Sequence, residues 1–180
     1  MDYDVVYACR RAGVVLFVIM FATDLNPEPK RFLLESALAQ ELYGWGVIFY
    51  RGGRLKTRFS VKASGTWDGR TLMIEEYLRY ESGEAHHRTF HIEKINDDHY
   101  TAECGEFIGP SEIRRRQSGF QWRYRLREKS KEAHGITLAA DDRLFLCADG
   151  TLLDHAILRK LGVRVGDVFM TLRPASSLDS

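Results

Sequence analysis

LMIEEYLRYESGEAHHRTFHI, residues 72–92, alternates like two strands joined by a turn, yet it sets a glutamate and an arginine where the pattern calls for apolar side chains. The turn decides the register. If Ser82-Gly83 were a two-residue loop, partners would sum to 165, and the face of Leu72, Ile74, Glu76 and Leu78 would meet the polar face that carries His91, Thr89 and His87. If Glu81-Ser82-Gly83 is a three-residue loop, with Gly83 in the left-handed position that glycine adopts cheaply, the sum becomes 164. Leu72 then meets Ile92, Ile74 meets Phe90 and Leu78 meets His86, so the apolar face closes. Glu76 falls directly opposite Arg88 on that same face.

The logic extends one hairpin back. A three-residue loop Arg51-Gly52-Gly53 pairs Phe49 with Leu55, Val47 with Thr57, Trp45 with Phe59 and Tyr43 with Val61. Within RLKTRFSVKASG, Leu55, Thr57, Phe59, Val61 and Ala63 alternate with polar residues. In FQWRYRLREK, Phe120, Trp122, Tyr124 and Leu126 do the same, one face dry and one wet. Turn chemistry recurs about every ten residues: RGGR, WDGR, ESGE, NDDH, QSGF, CADG and GVRVGD. Short strands at that spacing predict an all-β, antiparallel up-and-down barrel. Only Arg31 to Leu42 carries a helical period, which predicts one short helix leading into the first strand.

The chain has 180 residues, about one domain, and buries roughly 70% of its unfolded surface without a staple. Twenty-six basic and 25 acidic residues leave a net charge of +1, which argues against a surface built wholly for nucleic acid. Cys9, Cys104 and Cys147 show no CxxC spacing, so neither a disulfide framework nor a zinc site is expected. Residues 1–30 form an apolar segment and linker ahead of a barrel domain at 31–175, with a flexible tail at 176–180. The run AGVVLFVIMFA, Ala12 to Ala22, is too short to span a membrane. It has the length of a signal-peptide apolar region, or of an element docked on the domain, and the two readings leave localisation open between periplasm or membrane and cytoplasm.

In order and spacing, YGWGVIFYRGGRLKTRF, GTWDGRTLMIEEYLRYESGE, WRYRL and ILRKLGVRVGDVFMTLR resemble a bacterial family, domain of unknown function 3833, many of whose members are described as lipoproteins. The likeness runs from about Phe32 to Arg173 and is most specific between Gly65 and Arg88. It implies a lipocalin-like (calycin-like) barrel and no known activity. The sequence departs from the family pattern at three places: Arg143 follows Asp141-Asp142 where a tryptophan is expected, CGEFIG keeps a single acid at Glu106, and Asp154-His155 replaces an asparagine-arginine pair. A lipobox cysteine is missing or remodelled.

A barrel of this size holds one small ligand among mostly apolar residues with a few placed polar groups. Trp45, Trp67, Glu76, Tyr80, Arg88, Trp122 and Tyr124 are the expected interior set. An arginine there can grip a carboxylate, and a facing glutamate would hold it in an empty cavity. The expected function is therefore non-catalytic binding of a hydrophobic or amphipathic acid, without cofactor or metal. The plain alternative is an ion pair that only fixes register. If the cavity is catalytic, an isomerase, hydratase or cyclase chemistry would use Glu76 or Asp142 as acid or base. A third class is an interaction module with a filled interior that acts through its basic outer face.

That face is Arg114, Arg115, Arg116, Arg123, Arg125 and Arg127, continued by Lys129 and Lys131. It suits solvent or an anionic membrane surface. Nucleic acid is disfavoured, because the aromatics turn inward and leave no stacking platform. His87 and His91 share a strand face about 13 Å apart, too far to hold one ion. His155 beside Asp154 lacks a partner serine or cysteine in a recognisable setting, so no catalytic triad is expected.

Overall fold

The structure is a computed structural model that describes residues 31–117, 119–127 and 135–177. The expectations for residues 1–30, Lys129, Lys131 and 178–180 lie outside the described residues. A five-residue helix, α1 (Leu34–Leu38), precedes ten strands: β1 (Glu41–Tyr50), β2 (Leu55–Trp67), β3 (Thr71–Tyr80), β4 (Ala85–Asn96), β5 (His99–Cys104), β6 (Ser111–Arg116), β7 (Gly119–Arg127), β8 (Thr137–Leu146), β9 (Leu152–Lys160) and β10 (Val163–Pro174). Each strand pairs antiparallel with the next, and β1 pairs with β10, so the meander closes on itself. The helix is shorter than the sequence period suggests because Glu41 and Leu42 already belong to β1. A 3-10 turn, Ala175–Ser177, follows β10.

The β3–β4 hairpin has the register that its turn predicts. Leu72 faces Ile92, Ile74 faces Phe90, Leu78 faces His86 and Glu76 faces Arg88. Gly83 has φ +85°, the left-handed conformation the three-residue loop requires. His87 and His91 face outward, His87 stacked on Tyr77 with centroids 4.2 Å apart.

The β1–β2 hairpin corrects the expected pairing. Phe49 does face Leu55, but a bulge between Ile48 and Phe49 shifts everything beyond it, so that Ile48 meets Thr57, Gly46 meets Phe59 and Trp45 meets Ser60. One extra residue moves every later side chain to the opposite face. Trp45 therefore stands outside, 61% exposed, and is not an interior residue. The inward positions go to Ile48, Gly46, Gly44 and Leu42. The Phe59 ring fills the space over Gly46, where an added Cβ would lie 2.2 Å from it. Gly44 presses still closer, its absent Cβ lying 1.6 Å from the Thr171 carbonyl oxygen.

Helix α1 closes one end of the barrel. It lies against β2 at Gly65, where a Cβ would meet the Leu38 carbonyl oxygen at 1.8 Å. Buried Glu35 ties the helix down: it binds Lys94, which also reaches Asp97 at 2.8 Å, and accepts a hydrogen bond of 2.7 Å from the Tyr100 hydroxyl. Arg115 lies over the Phe120 ring at 4.5 Å and donates to the Phe32 carbonyl oxygen at 2.7 Å and to Asp98. Phe32, Leu34, Tyr100, Ile113 and Phe120 are all buried at this end.

Candidate functional site

Above this packed floor the interior opens into a cavity of about 170 Å³. Strand phase sets its walls. Along β3, Leu72, Ile74, Glu76, Leu78 and Tyr80 point inward. Along β7, Phe120, Trp122 and Tyr124 point inward. Along β8 the inward series is Leu138, Ala140, Asp142 and Leu144, and along β9 it is Leu152, Asp154, Ala156 and Leu158. Alternation of apolar residues thus carries five polar side chains into the hollow from four strands, and β4 contributes Arg88.

Arg88 donates from Nε to Glu76 Oε1 at 2.7 Å, and its Nη2 lies 2.6 Å from the same oxygen. The Glu76 side chain is 8% exposed and Arg88 26%, and both border the hollow. Burial works against the Arg88 charge, but Glu76 and the neighbouring Tyr124 outweigh it and shift its pKa upward. The guanidinium also lies over the Phe90 ring at 5.1 Å.

Across the cavity, the Tyr124 hydroxyl donates to Asp142 Oδ2 at 2.9 Å. Burial pushes the Asp142 carboxyl up to about 7, against the pull of that hydrogen bond and of Arg88. Asp154 is raised well above the ordinary carboxyl range, by burial first and then by Asp142 and Glu76. Burial and the Asp142 charge raise Tyr124 as well. Asp142 Oδ1 and Asp154 Oδ1 are both buried without a hydrogen-bond partner among the described residues. Phe107, from the β5–β6 connection, stacks on Tyr124 with centroids 4.5 Å apart, and Trp122 donates to Ser111 Oγ at 3.1 Å.

Of the seven expected interior residues, five border this cavity: Glu76, Tyr80, Arg88, Trp122 and Tyr124. Trp67 packs against the core without lining the hollow, and Trp45 lies outside. Asp142, expected only for a catalytic role, is a wall residue. Asp154 as a wall residue, and Phe107 packed behind Tyr124, were not expected. The two-residue phase of LLDHAILRK places Asp154 with Leu152 and Ala156, so its signal was present. Phe107 enters from a connection, where no periodicity applies. His155 points outward, bonded to Asp167 at 3.0 Å and stacked on Phe169.

The basic row is shorter than expected. Arg115 turns toward the barrel floor, Arg114 pairs with Glu112 at 2.9 Å and Arg123 lies 3.6 Å from Asp141. Arg116 reaches Gln121 at 3.4 Å, while Arg125 and Arg127 stand exposed. A second hollow of about 710 Å³ is bordered by the outward side chains Trp45, Phe145, Leu153 and Phe169, with Arg58, Arg79, Glu81 and His155 also among its lining residues.

The family model described as a protein of unknown function (DUF3833) matches residues 16–174. The chain belongs to that family. No curated protein matches the sequence. Among solved structures, the S-type phycobiliprotein lyase from Guillardia theta is similar in fold, with a TM-score of 0.57 at 8% identity, over 80% of this chain and 93% of that one. At that identity the likeness is one of architecture. This DUF3833 chain thus shares a lipocalin-like barrel with a protein titled a lyase, and the polar interior described above is read from its own residues.

Proposed function

We propose that this protein binds a compact, largely apolar small molecule inside its barrel, without catalysis. The observation that carries the reading is the convergence of Glu76, Arg88, Tyr124, Asp142 and Asp154 on one apolar-walled cavity. A polar cluster with unpartnered carboxyl oxygens is costly to bury, and a bound molecule would repay part of that cost. The barrel shared with a phycobiliprotein lyase supports an interior site by fold analogy alone.

The volume limits the ligand. An engineered cavity of about 150 Å³ accommodates benzene, whereas drug-sized ligands take roughly 300–1,000 Å³. A long-chain fatty acid therefore exceeds the 170 Å³ seen here. The acid head group suggested by Arg88 also loses ground, since that guanidinium is already held by Glu76 and shares the hollow with two further carboxyls.

The test is native mass spectrometry of the full-length protein beside Ala156→Phe, which fills the cavity from β9. A small molecule that copurifies with the wild type and is lost from a folded Ala156→Phe protein supports the reading. No bound molecule, together with no uptake of single-ring probes such as benzyl alcohol, overturns it.

One observation favours a second reading. A carboxyl pushed up to about 7 and oriented by a tyrosine hydroxyl is poised for proton transfer. Glu76, tied to Arg88, is less available for that task. Under this reading Asp142 would exchange a carbon-bound proton of the ligand, and deuterium uptake into that ligand with wild type but not with Asp142→Asn would establish it.

A further inference from the structure

We propose that the ligand of this cavity is an organic cation, a small apolar molecule carrying an ammonium-type group, which Asp142 and Asp154 receive. The inference rests on the interior-binding reading above. Its first support is a charge count. The titratable groups lining the hollow are Glu76 and Tyr80 from β3, Arg88 from β4, Tyr124 from β7, Asp142 from β8 and Asp154 from β9, and by register His86 of β4 and Cys104 of β5 share the inner face without bordering it. His86 sits near the rim, bonded to Glu84 at 3.1 Å. Glu76 cancels Arg88 at contact distance. That leaves two aspartates with no basic side chain bonded to either one among the described residues.

The second support is geometric. Asp142 is 4% exposed and spends Oδ2 on Tyr124, while its Oδ1 and the Oδ1 of Asp154 are buried with no partner. Buried acceptors in native proteins are nearly always satisfied. Two orphan oxygens on adjacent strands of one cavity mark where hydrogen-bond donors are missing. An alcohol brings one donor; an ammonium brings up to three, with the charge that both carboxyls lack.

The walls fit the same class. Tyr80, Trp122 and Tyr124 present aromatic surface to the hollow, and cations are attracted to aromatic faces, most strongly where desolvated. Arg88 over Phe90 already uses this attraction inside the barrel.

Proton balance gives the proposal a signature. An ammonium ligand enters in its protonated form, so the carboxyl that receives it must give its proton to solvent. No covalent bond is made or broken. Because burial raises both carboxyls, with Asp141 and Glu76 adding to the shift at Asp142 and with Asp142 and Glu76 adding to it at Asp154, a cation would bind more tightly at pH 8 than at pH 6, with net proton release at the lower pH.

The experiment is calorimetric titration of the full-length protein with benzylamine, benzyl alcohol and benzoate, three probes of nearly one size. Titrations run at pH 6 and pH 8, each in two buffers of different ionisation heat. We expect benzylamine to bind at least ~10-fold tighter than benzyl alcohol at pH 8. That preference should collapse to within ~3-fold in Asp142→Asn/Asp154→Asn, whose benzyl alcohol affinity reports that the cavity survives. Equal affinity for amine and alcohol overturns the cation proposal and leaves the binding barrel standing. Tightest binding of benzoate also overturns it and returns the role of recognition to Arg88. Binding of none of the three to folded protein overturns both readings.

Discussion

Glu76 and Arg88 are direct cross-strand partners on the inner face of the β3–β4 hairpin, joined through Arg88 Nε and Nη2 to one carboxylate oxygen. Most of the Glu76 surface is removed from solvent, so the two members are not equivalent. Removing the arginine strands a buried charge, whereas removing both together strands nothing.

Arg88→Met is therefore expected to destabilise the fold by roughly 3–5 kcal/mol, and Glu76→Leu/Arg88→Met to return close to wild type. Urea denaturation of the two single variants and the double variant measures the coupling. Additive losses would show that the pair is not a unit.

Asp142 sets a pH dependence of the opposite sign from ordinary acid denaturation. Its carboxyl is raised to about 7 in the folded state, against about 3.9 unfolded. Between those values the folded protein holds the proton more tightly, so its stabilising share is complete below pH 4 and is lost as pH rises through 7. Asp142→Asn should raise the urea midpoint at pH 8 and leave it nearly unchanged at pH 4. A uniform shift at both pH values would assign the effect to packing.

Glu35 behaves the other way. Burial alone would raise it, but the hydrogen bonds from Lys94 and Tyr100 bring it below its usual value. Its contribution is present above the unfolded pKa and disappears as pH falls through the lowered one. Glu35→Gln should cost about 1–3 kcal/mol at pH 7 and little at pH 3. Hydrogen exchange at the amides of 34–38 should accelerate with it, since Glu35 ties α1 to β4 and β5.

The two inward glycines of β1 separate by what crowds them. Gly46→Ala meets a movable ring and should cost roughly 1–3 kcal/mol, part of it recovered when Phe59→Leu is added. Gly44→Ala meets the Thr171 backbone, so it should cost more and gain nothing from Phe59→Leu. Thermal melts of the four variants check both claims.

How far the sequence could be read depended on whether a residue's position was set locally. The register of β3 and β4 follows from one glycine-containing turn, and Glu76 and Arg88 follow from the register. Asp142 and Asp154 were equally accessible through the alternation of LAADDRLFL and LLDHAILRK. The position of Trp45 was not, because the bulge beside Phe49 leaves no mark in composition and reverses every residue beyond it. In hindsight Gly44 and Gly46 were the available hint, since glycine is poor in strands unless something must approach. The floor was out of reach for another reason: Glu35 and Lys94 are 59 residues apart, and only the closed barrel brings them together.

Closure itself has a consequence for how the protein meets others. With β1 hydrogen-bonded to both β2 and β10, the ring of described strands has no free edge. Main-chain templating by a peptide or by a second copy, the route by which open sheets recruit extra strands and grow into fibres, has nowhere to begin. Encounters with this barrel must be negotiated through side chains.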